Sequence, residues 1–220
     1  MNQKQIAGER AVEFIEDGMV VGLGTGSTVY FSLLALGERV KAGLQIQGIP
    51  TSEATTKLAK QLQIPLTDFA AQPVLDITID GADAVLPDLS LIKGGGGALL
   101  REKLVASASK KMIVVADESK QVATFDHAVI PIEVVPFAWE TTAERIRQLG
   151  GRTHLRCQGE QVFVTDNHNF ILDTTFAEVG DVAALQQSLK LLTGVVETGL
   201  FPNLADMVII GTTDGVHILS

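Results

Sequence analysis

Apolar residues along this chain fall into two textures. Through the first half, short apolar runs at Met19–Leu23, Leu44–Ile49, Val74–Ile79, Leu89–Ile92 and Met112–Ala116 alternate with stretches of helical spacing, at about Thr28–Val40, Ser52–Leu62 and Ala98–Ala108. Strands separated by helices of about ten or more residues require crossover connections, so a mainly parallel, Rossmann-like sheet is expected. The opening segment 1–18 mixes Lys4, Glu9, Arg10, Glu13 and Glu16 with Ile6, Val12 and Ile15, the pattern of an amphipathic helix.

From Val129 the texture changes. Val129–Val135, Arg152–Arg156, Val162–Thr165, Phe170–Thr174 and Val195–Gly199 read as short strands, with helices at Trp139–Leu149 and Val182–Leu192. The turn-rich Asp166-Asn-His-Asn169 is expected to join Val162–Thr165 to Phe170–Thr174 as a hairpin. This β-α-β-β-β-α-β order predicts a small α+β domain of ferredoxin-like kind over 129–202. Met207–Gly211 and Val216–Leu219 return to the first texture. They are expected to rejoin the first sheet, giving a Rossmann-like domain of 1–128 plus 203–220 with the small domain inserted.

Composition narrows the function. The 220 residues carry a net charge of −9, which disfavours a nucleic-acid face or an anionic membrane surface. A local phosphate site is still compatible with that charge. No apolar run approaches the roughly 18–20 residues that span a bilayer, and residues 1–18 lack the apolar block of a signal peptide. With Cys157 the one cysteine, no intrachain disulfide can form, and a cytoplasmic location is expected. His127, His154, His168 and His217 show no i+3 or i+4 pairing, so no metal of zinc type is expected.

Five stretches carry candidate chemistry. Gly22-Leu-Gly-Thr-Gly-Ser-Thr28 follows a strand and opens a helix. Its free N–H groups and the hydroxyls of Thr25, Ser27 and Thr28 suit an anion, although a tight turn with an N-cap fits the same residues. The spacing is neither a dinucleotide fingerprint nor a P-loop. Asp80-Gly-Ala-Asp83 closes the Val74–Ile79 strand, at the sheet edge where α/β proteins bind ligands. Its two acids can share a polyol, a metal or a proton, or simply cap a turn and face solvent. Lys93-Gly-Gly-Gly-Gly97 places a lysine and four glycines between a strand and a helix, an entropically costly choice unless the backbone wraps a ligand. Glu102 has Leu99 and Val105 at i±3 and Ala98 and Ala106 at i±4, hence no basic partner along its helix. It is either a solvated helix residue or a carboxylate of raised pKa suited to a general base. Lys120, after the Met112–Ala116 strand, would share the same sheet edge.

In order and spacing, Gly24-Thr-Gly-Ser-Thr28, Asp80-Gly-Ala-Asp83, Lys93-Gly-Gly-Gly96, Arg101-Glu-Lys103 and Ser119-Lys-Gln121 resemble the ribose-5-phosphate isomerase A family. Gly199-Leu-Phe, Ala205-Asp206, Gly211 and Asp214-Gly-Val216 extend the likeness through the tail. The resemblance implies an aldose–ketose isomerase with Glu102 as base and Lys93, Asp80 and Asp83 assisting. It implies substrate contacts at Thr25, Gly26, Ser27, Thr28, Asp80, Gly81, Ala82, Asp83, Lys93, Gly94, Gly95, Gly96 and Lys120. It further implies a sugar phosphate as ligand, no metal or organic cofactor, and a homo-oligomer, often a dimer. Ala84 and Gly97 depart from the family pattern, which often has an acid and an alanine there. Three rivals remain at this level: a nucleotide-dependent dehydrogenase with Glu53 on the ribose, a CoA-transferase-like enzyme with a glutamate nucleophile, and a non-catalytic sugar-phosphate sensor.

Overall fold

The computed structural model of the protein describes residues 2–220. Helix α1 (Gln3–Val12) starts at Asn2, whose side chain accepts the Lys4 N–H. There follow β1 (Val20–Leu23), α2 (Val29–Lys41), β2 (Gln47–Pro50), α3 (Glu53–Gln61) and β3 (Ile77–Gly81). Two short strands, β4 (Ala84–Val85) and β5 (Leu91–Ile92), precede α4 (Leu99–Ser107) and β6 (Met112–Asp117). The chain then runs through β7 (Ile130–Val134), α5 (Trp139–Gln148), β8 (Arg152–Leu155), β9 (Cys157–Gln158), β10 (Gln161–Val162), β11 (Phe170–Thr175), α6 (Val182–Lys190), β12 (Val195–Thr198) and β13 (Leu200–Phe201). It ends in β14 (Met207–Thr212) and β15 (Gly215–Leu219).

The principal sheet has the order β15-β14-β6-β3-β1-β2 and is parallel except for β15. Its central strands are buried along their length because both faces are covered. Alternation divides their side chains. Ile113, Val115 and Ile209 join Val21 and Ile79 under α1 and α2, while Met112, Val114, Val208 and Ile210 pack with Leu99 and Ala106 of α4. From β1 the chain turns outward to β2, then crosses back to β3 on the other side of β1. The carboxyl ends of β1 and β3 therefore flank a topological switch point, where a ligand crevice opens in such sheets.

A second sheet, order β12-β7-β11-β8, is antiparallel throughout. Ile130, Ile132 and Val134 of β7 face Ala143 and Ile146 of α5 and Leu189 of α6. Lys103 of α4 ties this sheet to the first. Its Nζ donates to Glu197 Oε1 (2.8 Å), Thr198 O (2.7 Å) and Leu200 O (2.8 Å).

Two expectations need correction. Leu89–Ile92 is not a strand of the parallel sheet. Leu89 has φ +65°, and only Leu91–Ile92 is extended, antiparallel to β4 and β13 in a separate three-stranded sheet. Val162–Thr165 does not form a hairpin with the Phe170 strand. Gly159, at φ +64°, turns the chain back so that β10 pairs with β9, and β11 takes β7 and β8 as partners instead. The 166–169 turn does close, with the Thr165 N–H on Asn169 O at 2.9 Å, but the ladder goes no further.

Candidate active site

At the end of β1 the backbone passes so close to β3 that only glycine fits at position 24: an added Cβ would lie 2.3 Å from Asp80 Oδ1. This contact lets Asp80 Oδ1 accept the N–H groups of Thr25 (3.0 Å) and Gly81 (2.7 Å). Gly26, at φ +128°, then swings the chain into α2. The Thr25 hydroxyl, expected to serve an anion, lies instead among other hydroxyls. Its Oγ1 is 2.7 Å from that of Thr51, 2.8 Å from Ser52 Oγ and 3.0 Å from that of Thr55. That cluster pins the turn to the start of α3.

Lys93 directly follows β5 and is 2 % exposed. Its ammonium donates to the Gly81 carbonyl and lies 3.1 Å from Asp80 Oδ2 and 3.5 Å from Glu102 Oε1. Burial alone would push this lysine down. The nearby charges of Asp80 and Glu102 reverse the effect and hold it above the ordinary lysine value, so it stays a cation.

Glu102 stands in the first turn of α4 and is buried. Burial first, then the negative charge of Asp80, pushes its carboxyl up to about 8, against the opposing pull of Lys93. The apolar helix face is thus the right signal for a raised pKa, while its cationic neighbour comes from another element. Glu102 Oε2 is buried and has no hydrogen-bond partner among the described residues. An unpaired, desolvated carboxylate oxygen is costly to bury and available to take a proton.

One cleft is lined by Thr25, Gly26, Ser27, Thr28, Gly81, Ala82, Asp83, Lys93, Gly94, Gly95, Gly96, Glu102 and Lys120. All the residues for which the family resemblance implies a catalytic or substrate-contact role meet there except Asp80. That one lies fully buried behind the lining, where the two N–H groups and the Lys93 ammonium engage it. Asp80 therefore backs the lining rather than forming part of it. Asp83 is exposed at the cleft, and its Oδ2 accepts the Gly95 N–H at 2.7 Å. Lys120 sits on the short 3₁₀ turn Glu118–Lys120 after β6.

Lys4 escaped the sequence reading. Its Nζ donates to Ser27 Oγ at 2.9 Å and lies 4.0 Å from Asp117 Oδ2, adding a second cation beside the glycine turn. No local signal marks it, since it is one lysine among the polar residues of α1. The two departures from the family pattern also find their places. Ala84 is buried with Ile92, Phe125 and Leu200 and does not line the cleft. Gly97 has φ +84°, and a Cβ there would lie 2.4 Å from Phe163 Cζ, so the fourth glycine matches the aromatic ring packed on it.

Among the described residues no group of three or more His, Cys, Asp or Glu side chains could hold a metal ion, and no helix is long and apolar enough to cross a membrane. Fold and cleft together define an α/β enzyme with a buried carboxylate–ammonium pair at the carboxyl edge of its sheet. The family model for ribose 5-phosphate isomerase A (phosphoriboisomerase A) matches residues 47–215. A ribose-5-phosphate isomerase A from Bacillus mycoides is 52% identical over 217 residues, covering 98% of each chain. A solved D-ribose-5-phosphate isomerase in complex with phospho-erythronic acid superposes with a TM-score of 0.96 at 39% identity, covering 100% of both chains. The ribose 5-phosphate isomerase A from Methanocaldococcus jannaschii gives 0.95 at 37% identity, over 100% of this chain and 98% of that one. The chain belongs to the ribose 5-phosphate isomerase A family.

Proposed function

We propose that this protein interconverts D-ribose 5-phosphate and D-ribulose 5-phosphate, with Glu102 as the proton-transferring base. The observation that carries this reading is the Glu102–Lys93 pair: a buried carboxylate with one free oxygen, 3.5 Å from a buried ammonium, opening on the cleft. After ring opening, Glu102 takes the proton from C2 as the C2 electrons pass toward the carbonyl. A cis-enediolate forms, the O2 hydroxyl proton passes to O1, and Glu102 returns its proton to C1 as the C2 carbonyl forms. Lys93 is a buried, fixed positive charge beside the developing oxyanion, and burial makes such a charge more effective than it would be in water. Asp80 holds Lys93 and the Thr25 turn in place. Asp83, reaching into the cleft, is the acid placed to hold a substrate hydroxyl and assist ring opening.

The phosphate end is assigned to the Gly26–Thr28 turn at the start of α2, flanked by Ser27, Lys120 and Lys4. Anchoring the phosphate there lets its binding energy orient the reacting carbons at the other end of the cleft. Residues 129–202 are proposed as a small inserted domain of ferredoxin-like kind, supported by the strand order β12-β7-β11-β8, with 1–128 and 203–220 as the catalytic body. Family membership supports a homodimer in the cytoplasm.

A coupled assay of ribulose 5-phosphate formation from ribose 5-phosphate tests the activity. Turnover that persists after exhaustive chelation is the expected result. Absence of turnover by the well-folded protein would overturn the reading.

A further inference from the structure

Four consecutive glycines have no side chains with which to hold a shape, and beyond the Gly97 N–H on the Gly94 carbonyl (2.9 Å) the Gly94–Gly97 loop is ordered from outside. On the cleft side one tie is already described, from the Gly95 N–H to Asp83 Oδ2. The other comes from the second sheet. Arg156 follows β8, and its backbone is fixed on both sides: its N–H donates to Ile171 O at 2.8 Å and its carbonyl accepts the Phe163 N–H at 2.9 Å. Its guanidinium forms a two-pronged pair with Asp173, Nε to Oδ2 at 2.9 Å and Nη2 to Oδ1 at 2.5 Å. The remaining nitrogen, Nη1, donates to the carbonyls of Gly94 (2.8 Å) and Gly95 (3.2 Å). Its side chain is 14% exposed and its guanidinium lies 5.7 Å from the centroid of Phe163, the ring packed on Gly97.

The orientation of these two carbonyls fixes what the loop presents to substrate. In a trans peptide the C=O of one residue and the N–H of the next point in opposite directions. Holding the Gly94 carbonyl outward turns the Gly95 N–H inward, onto Asp83. Holding the Gly95 carbonyl outward turns the Gly96 N–H inward as well, and that N–H has no protein acceptor among the described residues. Gly96 lines the cleft.

We propose that Arg156, held by Asp173, is a positioning residue for the reaction. It sets the glycine loop so that Asp83 and the Gly96 N–H face the reacting end of the sugar. The inference rests on the assignment of that end to Glu102 and Lys93. Arginine is required because three nitrogens in one rigid plane serve a carboxylate and two carbonyls together, which an ammonium on a flexible stem cannot do.

The test compares R156A, R156K and D173N with wild type, measuring kcat, KM and the inhibition constant of inorganic phosphate, which probes the other end of the cleft. Misplacing a reacting group by about 1 Å costs on the order of 10²-fold, so R156A should lose about 10- to 100-fold in kcat. Phosphate inhibition should stay within about twofold. R156K keeps the charge without the fork and should recover only part of the loss, and D173N should lie on the same side of wild type. If R156A does not fold, R156K and D173N decide. A kcat within about twofold of wild type in the folded variants would overturn the proposal. A kcat loss matched by equal weakening of phosphate would also overturn it, since that marks general loosening. E102Q run alongside separates the two assignments: an active E102Q sinks the site reading, whereas an inactive E102Q beside normal Arg156 and Asp173 variants sinks this inference alone.

Discussion

The most searching consequence of the buried pair is a pH profile. Glu102 acts as a base only when ionised, and its carboxyl is pushed up to about 8 by burial and by Asp80. The sign follows directly. Below that value the carboxyl holds its proton and the free enzyme is inactive, so kcat/KM must rise with pH and level off above it. With a midpoint near 8, about one-tenth of the enzyme is ionised at pH 7 and about nine-tenths at pH 9, an increase of roughly tenfold. Lys93 opposes the upward push, so Lys93→Met should move the midpoint further up. Two unit charges 3.5 Å apart attract by about 4–5 kcal/mol at an effective dielectric constant of about 20. Removing the ammonium would therefore leave little ionised carboxylate at pH 9. The assay is kcat/KM for ribose 5-phosphate in constant-ionic-strength buffers from pH 7 to pH 9.5, above the second phosphate ionisation near pH 6. A flat wild-type profile over that range, or a Lys93→Met midpoint no higher than that of wild type, would refute the reasoning.

Further predictions concern the edges of the site. Lys120→Ala should weaken competitive inhibition by inorganic phosphate by about 10- to 100-fold, as expected for a charge-assisted contact of roughly 1.5–3 kcal/mol. Unchanged inhibition would place the phosphate elsewhere. Gly97→Ala should lower stability in urea unfolding by about 1–3 kcal/mol, because φ +84° and the Phe163 ring both disfavour a Cβ. The double variant Gly97→Ala, Phe163→Ala should separate the ring's share, since only the backbone cost persists once the ring is gone.

The sequence carried the site further than it carried the fold around it. The burial of Glu102 was half legible: a carboxylate among Ala98, Leu99, Val105 and Ala106 left a solvated and a buried reading open, and it was the resemblance of five stretches in register that chose between them. The glycines of 22–26 and 94–97 were legible because each cluster lies between a strand and a helix. The burial of Asp80 was not legible, since nothing local says that its Oδ1 accepts the Thr25 and Gly81 N–H groups while its Oδ2 lies beside Lys93. β5 was overextended because a two-residue strand has no periodicity, and its partner Leu200–Phe201 is more than a hundred residues away. Lys4 and Arg156 were invisible for the same reason. Lys4 meets Ser27 across 23 residues, and Arg156 meets Gly94 across 62, so neither contact leaves a mark in any local window.

The central claim is that Glu102 moves the proton and Lys93 supplies the charge. The direct measurement is exchange of the substrate C2 proton with deuterated solvent, followed by NMR with Glu102→Gln and Lys93→Ala, each shown to be folded by circular dichroism. Glu102→Gln keeps the shape of the side chain and removes its basicity, so exchange and turnover should both fall by about 10²–10⁴-fold. Lys93→Ala should be slow, both because the oxyanion loses its counter-charge and because less of Glu102 is ionised, yet it should keep exchange in step with its residual turnover, since the ionised fraction of Glu102 still moves the proton. A folded Glu102→Gln that exchanges and turns over at close to the wild-type rate would contradict the account and return the search for the base to Asp83.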